Sequence, residues 1–181
     1  ITFVNTPTVS NAGPDQTICS TVGSATMNAN NPTVGIGTWT QVSGPITATI
    51  TNPALRTTTI TGMTTPGTYV FQWSIANAPC PASTDQIIVT VNAPPTASNA
   101  GSAQSVCGLV GTLAGNTPGV GTGTWTQTAG PGTSVFSNAN SPTATATVSV
   151  AGVYTFQWTI TNAPCAASGT RHGEIRICLG C

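Results

Sequence analysis

The chain of 181 residues carries three Lys+Arg, three Asp+Glu and one His, which give it a formal net charge of zero. A chain so poor in positive charge offers nothing that attracts nucleic acid or an anionic membrane surface. Its few titratable groups also disfavour an enzyme, a metal site and a bound cofactor. Apolar residues make up 39% of the sequence and fall in strand-like alternation, so we expect a packed fold rather than a disordered chain.

An internal repeat organises the sequence. The stretch GTYVFQWSIANAPC at Gly67–Cys80 returns as GVYTFQWTITNAPC at Gly152–Cys165. Large apolar residues alternate with smaller or polar residues in both copies, which is the period of a strand with one buried face. The repeat therefore predicts two modules built around the same core strand.

The repeat also predicts where the modules begin and end. The N-terminal sequence ITFVN runs into TPTVSNAG, just as IIVTVN at residues 87–92 runs into APPTASNAG. Residues 1–7 are therefore predicted to be the end strand of a preceding module. Residues 8–94 are predicted to form the first complete module and residues 95–181 the second. The pair Pro94–Pro95 is predicted to be a short, semi-rigid linker.

Turn residues divide each module into seven short strands, and nothing in the sequence indicates a helix. The strands predicted for the first module are Asp15–Cys19, Ser24–Asn28, Gly37–Val42, Ile46–Thr51, Thr57–Thr61, Thr68–Ala76 and Gln86–Val91. Those predicted for the second module are Ala103–Cys107, Gly111–Gly115, Gly123–Thr128, Ser134–Ser137, Thr143–Val150, Val153–Thr161 and Glu174–Cys178. The predicted fold class is therefore all-β, with two tandem seven-stranded immunoglobulin-like sandwiches.

Two signatures support this fold. The tryptophan of each GTWTQ stretch stands where immunoglobulin-like folds place a core tryptophan, and the tyrosine of each G-x-Y stretch stands where they place a tyrosine corner. The residue two positions after that tyrosine, a cysteine in antibody domains, is a phenylalanine here. The predicted core signature consists of Trp39, Tyr69, Phe71, Trp73, Trp125, Tyr154, Phe156 and Trp158.

Three stretches of the first module carry a resemblance to a known family: AGPDQTIC, GTWTQVSGP and PGTYVFQWSIANAPCPASTDQIIVTV. They resemble the PKD-like and immunoglobulin-like repeats of very large, secreted surface adhesins of the Bacteroidetes type, including gliding-motility adhesins. The resemblance covers nearly the whole chain and implies a tandem array on an exported protein. The final stretch CAASGTRHGEIRICLGC departs from it by replacing the STDQIIVTV-like last strand, so a standard third repeat is not expected.

The six cysteines keep the register of the repeat, which indicates disulfides and an oxidising, extracellular setting. Cys19 ends the first strand and Cys80 follows the sixth, and we expect both positions at the same end of an immunoglobulin-like sandwich. The equivalent cysteines of the second module follow the same reasoning. The predicted bridges are Cys19–Cys80 and Cys107–Cys165.

The remaining candidate groups favour structural roles. Cys178 and Cys181 are predicted to form a local turn bridge or a bond to another subunit rather than a zinc or redox site. A calcium site at Asp15 and Asp85 is disfavoured, because the second module has no acids in register with them. The charged final hairpin is predicted to be a solvated loop leading into an edge strand, with a partner contact as the alternative. Its charged residues and histidine are Arg171, His172, Glu174 and Arg176.

These features predict a secreted or cell-surface structural protein: a disulfide-locked repeat segment of an extracellular adhesin or fibre. Its expected partners are neighbouring modules or identical subunits, with surface glycans or proteins as further candidates. Two alternatives stay open, namely a self-assembling filament that uses strand donation and a glycan-binding module. No apolar run approaches the roughly 18 residues that a membrane helix needs, so no membrane span is expected.

Overall fold

The computed structural model describes residues 3–168 and 171–178. The chain divides into two compact units, Ile1–Ala93 (module 1) and Pro94–Cys181 (module 2). Every regular element within the described residues is a β-strand, as the alternation of apolar and polar residues predicts. Each module has seven strands in two sheets, so the prediction of two all-β, seven-stranded immunoglobulin-like sandwiches is confirmed.

Module 1 combines a four-stranded sheet with a three-stranded sheet. Its strands are β1 Gln16–Cys19, β2 Ser24–Asn28, β3 Ile36–Ser43, β4 Thr49–Ile50, β5 Thr57–Thr61, β6 Gly67–Asn77 and β7 Cys80–Asn92. The strand order is β1-β7-β6-β3 in the larger sheet and β2-β5-β4 in the smaller. Buried residues from both sheets form one apolar core between them.

Module 2 repeats this arrangement. Its strands are β8 Gln104–Cys107, β9 Val110–Thr112, β10 Thr122–Ala129, β11 Ser134–Phe136, β12 Thr145–Val148, β13 Gly152–Thr161 and β14 Arg171–Cys178. The strand orders, β10-β13-β14-β8 and β11-β12-β9, correspond to those of module 1. The two modules therefore share both strand number and topology.

The first and last strands of each module run parallel. In module 1, Gln16 to Cys19 of β1 face Val89 to Asn92 of β7. In module 2, β8 faces β14 in the same way, so that Cys107 lies opposite Cys178. The remaining ladders between described strands are antiparallel. Since β6 is antiparallel to β7, it begins opposite Val91, near the end of β1, and ends opposite Cys80 at the far end of β7.

The last strand of module 2 corrects an expectation drawn from its divergent sequence. β14 is not an edge strand, because it lies between β13 and β8. Ile175 and Ile177 are buried and face Tyr154 and Gly152, as Val89 and Val91 face their partners in module 1. The alternation of GEIRIC is thus sufficient to build the expected strand.

The last strand of module 1 is longer than predicted. β7 begins at Cys80 rather than Gln86, and its first residues pair with the end of β6, Asn77 lying opposite Cys80. None of the added residues, Cys80 to Asp85, is buried. Because they lack an apolar face, period-two alternation could not reveal them.

A pair of tryptophans fills the centre of each core. The rings of Trp39 and Trp73 have centroids 5.2 Å apart, and those of Trp125 and Trp158 are 4.9 Å apart. All four side chains are at most 1% exposed. They contribute packing and aromatic contacts to the interior and are not available to a ligand.

The glycine of each GTW stretch is explained by the second tryptophan of the pair. A Cβ atom built on Gly37 would overlap the ring of Trp73, and one built on Gly123 would overlap the ring of Trp158. Only glycine leaves room for the ring to lie directly on the neighbouring strand.

Both tyrosines of the core signature form corners. The Tyr69 hydroxyl donates to the Thr65 carbonyl at 3.0 Å, and the Tyr154 hydroxyl donates to the Val150 carbonyl at 2.9 Å. Each ring is fully buried. The hydrogen bond therefore satisfies a buried hydroxyl and fixes the turn that leads into the core strand.

Candidate functional site: the ends of the modules

The cysteines mark the two ends of module 1. We call the end that holds the hairpin from Asn77 to Cys80 the leading end, and the end at which β1 and β7 finish the trailing end. Cys80 opens β7 at the leading end, whereas Cys19 closes β1 opposite Asn92 at the trailing end. A hydrogen bond also joins the two strands at the trailing end, where the Ser20 amide donates to the Asn92 carbonyl at 2.9 Å.

The predicted Cys19–Cys80 bridge is wrong. The two cysteines lie at opposite ends of β7, whose length at about 3.3 Å per residue is roughly 40 Å, far beyond the reach of a disulfide. Cys80 carries a free thiol, and Cys19 is disulfide-bonded. The expectation failed because it placed the end of the sixth strand beside the end of the first, whereas β6 begins opposite Val91, near the end of β1, and ends opposite Cys80.

The same correction applies to the predicted Cys107–Cys165 bridge. Cys165 lies at the leading end of module 2, in a bridge with Asn162, whereas Cys107 lies at the trailing end opposite Cys178. Residues 152–162 span the distance between these ends, which is roughly 30 Å at the rise of a strand. Both cysteines are disulfide-bonded, but strand register excludes a bond between them.

Of the last two cysteines, Cys178 and Cys181, the structure describes only Cys178. Cys178 is exposed and carries a free thiol, so the predicted local bridge between Cys178 and Cys181 is wrong. Cys181 lies outside the described residues. A bond from Cys178 to another subunit stays a prediction.

A polar segment precedes the first strand of each module and was missed by the search for apolar alternation. We call residues 8–13 and 96–101 the leader segments. In module 1, the Asn30 side chain accepts from the Asn11 amide at 2.8 Å and donates to the Val9 carbonyl at 2.8 Å. Asn116 makes the same two bonds to the second leader segment. The sequence signal is the SNAG tetrapeptide, which is present in both segments.

The two aspartates hold the leader segment and β7 in place. Asp85 accepts from the buried Ala12 amide at 2.7 Å, and Asp15 accepts from the Ile88 amide at 2.8 Å. Among residues 3–168 and 171–178, no group of three or more His, Cys, Asp or Glu side chains could hold a metal ion. These hydrogen bonds give the acids a structural role.

Glu174 and Arg176 of β14 form a surface ion pair. Arg176 Nε lies 2.9 Å from Glu174 Oε1, and the two side chains are 65% and 41% exposed. An exposed pair of this kind stabilises a fold by about 0 to 1 kcal/mol. Since β14 is a central strand, these residues lie on the outer face of the sheet rather than at its edge.

Each module has an open groove beside the loop that follows its GTWTQ stretch. The groove of module 2 is lined by residues 125–130 and 132–134 and by Phe136. Gln127 donates from its side chain to the Gly132 carbonyl at 2.7 Å, which holds the loop against β10. In the part of the chain that the structure describes, Phe3 is the exposed aromatic side chain, at 92%. Phe136 on the wall of the module 2 groove is partly buried and packs edge-on against Phe156, with ring centroids 5.6 Å apart.

Comparisons with known proteins match both the sequence and the fold. The model of the K319L-like PKD domain matches residues 12–91. The solution structure of the PKD domain from KIAA 1837 protein is 25% identical, covers 46% of this chain and 85% of that one, and has a TM-score of 0.41. Sidekick-1 immunoglobulin domains 1–5 align over 98% of this chain with a TM-score of 0.61. The chain is a tandem of two immunoglobulin-like β-sandwiches, and the PKD match lies in the first of them.

The Sidekick-1 likeness concerns the fold of this tandem alone, because the identity to domains 1–5 is 13%. The tandem spans 40% of that chain and 48% of the structure of Sidekick-1 domains 1–4, which is 12% identical with a TM-score of 0.59. No curated protein matches the sequence. Within the described residues, no helix is long and apolar enough to cross a membrane.

Proposed function

We propose that the PKD-like tandem is a non-enzymatic structural segment of a secreted or cell-surface adhesin or fibre, and that its modules carry load along the chain. The observation that carries this proposal is the parallel pairing of the first and last strands. β1 pairs with β7 over Gln16 to Cys19, and β8 pairs with β14 over Gln104 to Cys107. These are the strands through which the chain enters and leaves each module.

Parallel pairing decides how a pulling force acts on a module. The chain enters β1 from the side of the leading end and leaves β7 at the trailing end, so tension pulls the two strands in opposite directions along their length. The hydrogen bonds between them lie across that direction and are loaded together rather than one after another. A hairpin of first and last strands would instead open bond by bond from one end.

The cysteines support an extracellular setting for this role. Cys19, Cys107 and Cys165 are disulfide-bonded. Structural disulfides persist in oxidising compartments and are rare in the cytosol. Hydroxyl and amide side chains supply most polar groups, with charged residues at 3% of the chain. Such a surface repels neighbours weakly, which suits close packing along a fibre.

Neither alternative role is favoured by the sheets and surfaces described above. Within the described residues, both modules possess the seven strands of the fold, so no strand of either sandwich is left for a donor to supply. The tryptophans that could stack on a sugar are buried in the cores. A filament built by strand donation and a glycan-binding module therefore rank below the load-bearing segment.

Single-molecule force spectroscopy tests the proposal. The chain is held by its two termini in a reducing buffer, so that each module releases its full length on unfolding. We expect two unfolding events, each lengthening the chain by about 250 Å, from roughly 3.5 Å per residue between the first and last strands. Extension without discrete events, at forces that do not rise above the noise, would contradict a load-bearing role.

A further inference from the structure

The free thiol at the leading end of module 1 faces the backbone of the segment before the leader. Cys80 Sγ lies 3.6 Å from the Asn5 carbonyl oxygen and 3.8 Å from that of Val4. The Asn77 side chain donates to the same Asn5 carbonyl at 2.8 Å. The thiol is therefore held beside a defined peptide group and is half-buried rather than projecting into solvent.

The segment that Cys80 faces has a counterpart at the trailing end. The sequence ITFVN at residues 1–5 aligns with IVTVN at residues 88–92, so that Asn5 corresponds to Asn92. Cys19 of β1 lies opposite Asn92 in the parallel ladder. A preceding module with the same topology would thus place the cysteine that ends its first strand opposite Asn5.

Both cysteines would then lie beside the same peptide group. The incoming cysteine would lie one strand spacing, about 4.8 Å, from Asn5, and Cys80 Sγ lies 3.6 Å from the Asn5 carbonyl oxygen. A disulfide forms when the Cα atoms of the two cysteines are about 4.4 to 6.8 Å apart, which requires both to lie on the same side of Asn5.

The second module supplies an independent observation. Cys165 is the repeat equivalent of Cys80, since both close an NAPC hairpin and pair with its asparagine. Cys165 is 8% exposed and disulfide-bonded, and strand register excludes its predicted partner within the module. The leading-end cysteine is therefore a bonding position in this repeat.

We infer that Cys80 is the acceptor site for a disulfide from a preceding module, namely from the cysteine that ends the first strand of that module. The two thiols lose two protons and two electrons when the S–S bond forms. The electron acceptor is a disulfide oxidant such as oxidised glutathione, which is reduced to two thiols. This inference rests on the proposed tandem segment, and it assigns to the array one covalent staple at each junction.

A chain extended by one module tests this assignment. In this chain, a second copy of residues 8–92 takes the place of residues 1–5 and is joined directly to residue 6. The added copy carries Cys80→Ser. After folding with reduced and oxidised glutathione, native Cys80 is expected to resist N-ethylmaleimide, whereas it reacts in the original chain. Peptide mapping with trypsin and chymotrypsin under non-reducing conditions is expected to join it to Cys19 of the added copy.

Matched variants decide the outcome. Cys19→Ser in the added copy should restore labelling of Cys80, and the same substitution in the original module should leave Cys80 protected. A second extended chain, which retains residues 93–95 before Thr8, varies the linker. Labelling of Cys80 in both extended chains, while calorimetry shows that all modules fold, would overturn the inference. High unfolding forces in those same chains would leave the load-bearing proposal standing.

Discussion

Replacement of Gly123 by alanine tests whether the tandem tryptophans specify the core. Gly→Ala substitutions at unstrained positions usually stabilise a protein by about 0.4 to 1 kcal/mol through the unfolded state. Here the new Cβ atom would overlap the ring of Trp158, which is fully buried and packs on Trp125. Gly115 packs against both rings on another side, which restricts the space into which Trp158 can shift. We therefore expect the opposite sign, a loss of about 1 to 3 kcal/mol from overpacking.

Differential scanning calorimetry measures this loss. For a domain of 60 to 100 residues, each kcal/mol lowers the melting temperature by about 4 to 8 °C, so the transition of module 2 should fall by roughly 4 to 24 °C. Gly119→Ala is the matched control, because its Cβ atom would meet only the Thr96 hydroxyl at 3.6 Å. If Gly123→Ala melted at or above the temperature of the control, the packing argument would be refuted.

Three further predictions concern stability. Trp125→Ala should destabilise module 2 by about 3 to 5 kcal/mol, measured by chemical denaturation, and an unchanged midpoint would mean that the tryptophan is not a core residue. Asp85→Ala should cost about 1 to 3 kcal/mol by leaving the buried Ala12 amide without a partner, whereas added calcium or a chelator should not change the melting of the parent chain. Deletion of residues 1–5 should leave the melting of both modules nearly unchanged in monomeric protein, and a large loss would show that they complete module 1.

Much of the fold follows from the sequence because the core strands alternate strictly. The apolar face of β6 is continuous from Tyr69 to Ile75, and the same face returns in β13. Tryptophan and tyrosine positions could be predicted because each needs a specific neighbour, such as the glycine before the tryptophan or the turn before the tyrosine. These requirements are local in the chain, so a repeat displays them twice.

The cysteine pairing could not be predicted, because it depends on strand direction rather than on strand content. A parallel β1–β7 ladder places Cys19 at the end of β7, and nothing in the residues of β1 distinguishes this from an antiparallel ladder. The start of β7 also could not be predicted, because the six residues before Gln86 have no buried apolar face. Cys80 therefore lies farther from the apolar part of the strand than the sequence indicates. The leader segments were missed since their order comes from asparagine hydrogen bonds and not from burial.

The load-bearing role is tested most directly by pulling module 1 in two directions. One chain carries Cys178→Ser and is held at its N-terminus and at Cys80, at the leading end of β7. The other carries Cys80→Ser, Cys178→Ser and Pro94→Cys and is held at its N-terminus and at residue 94, beyond the trailing end. The parallel ladder is sheared in the second geometry and peeled in the first. The account predicts a higher unfolding force at the same loading rate for attachment at residue 94, and an equal or lower force there would contradict it.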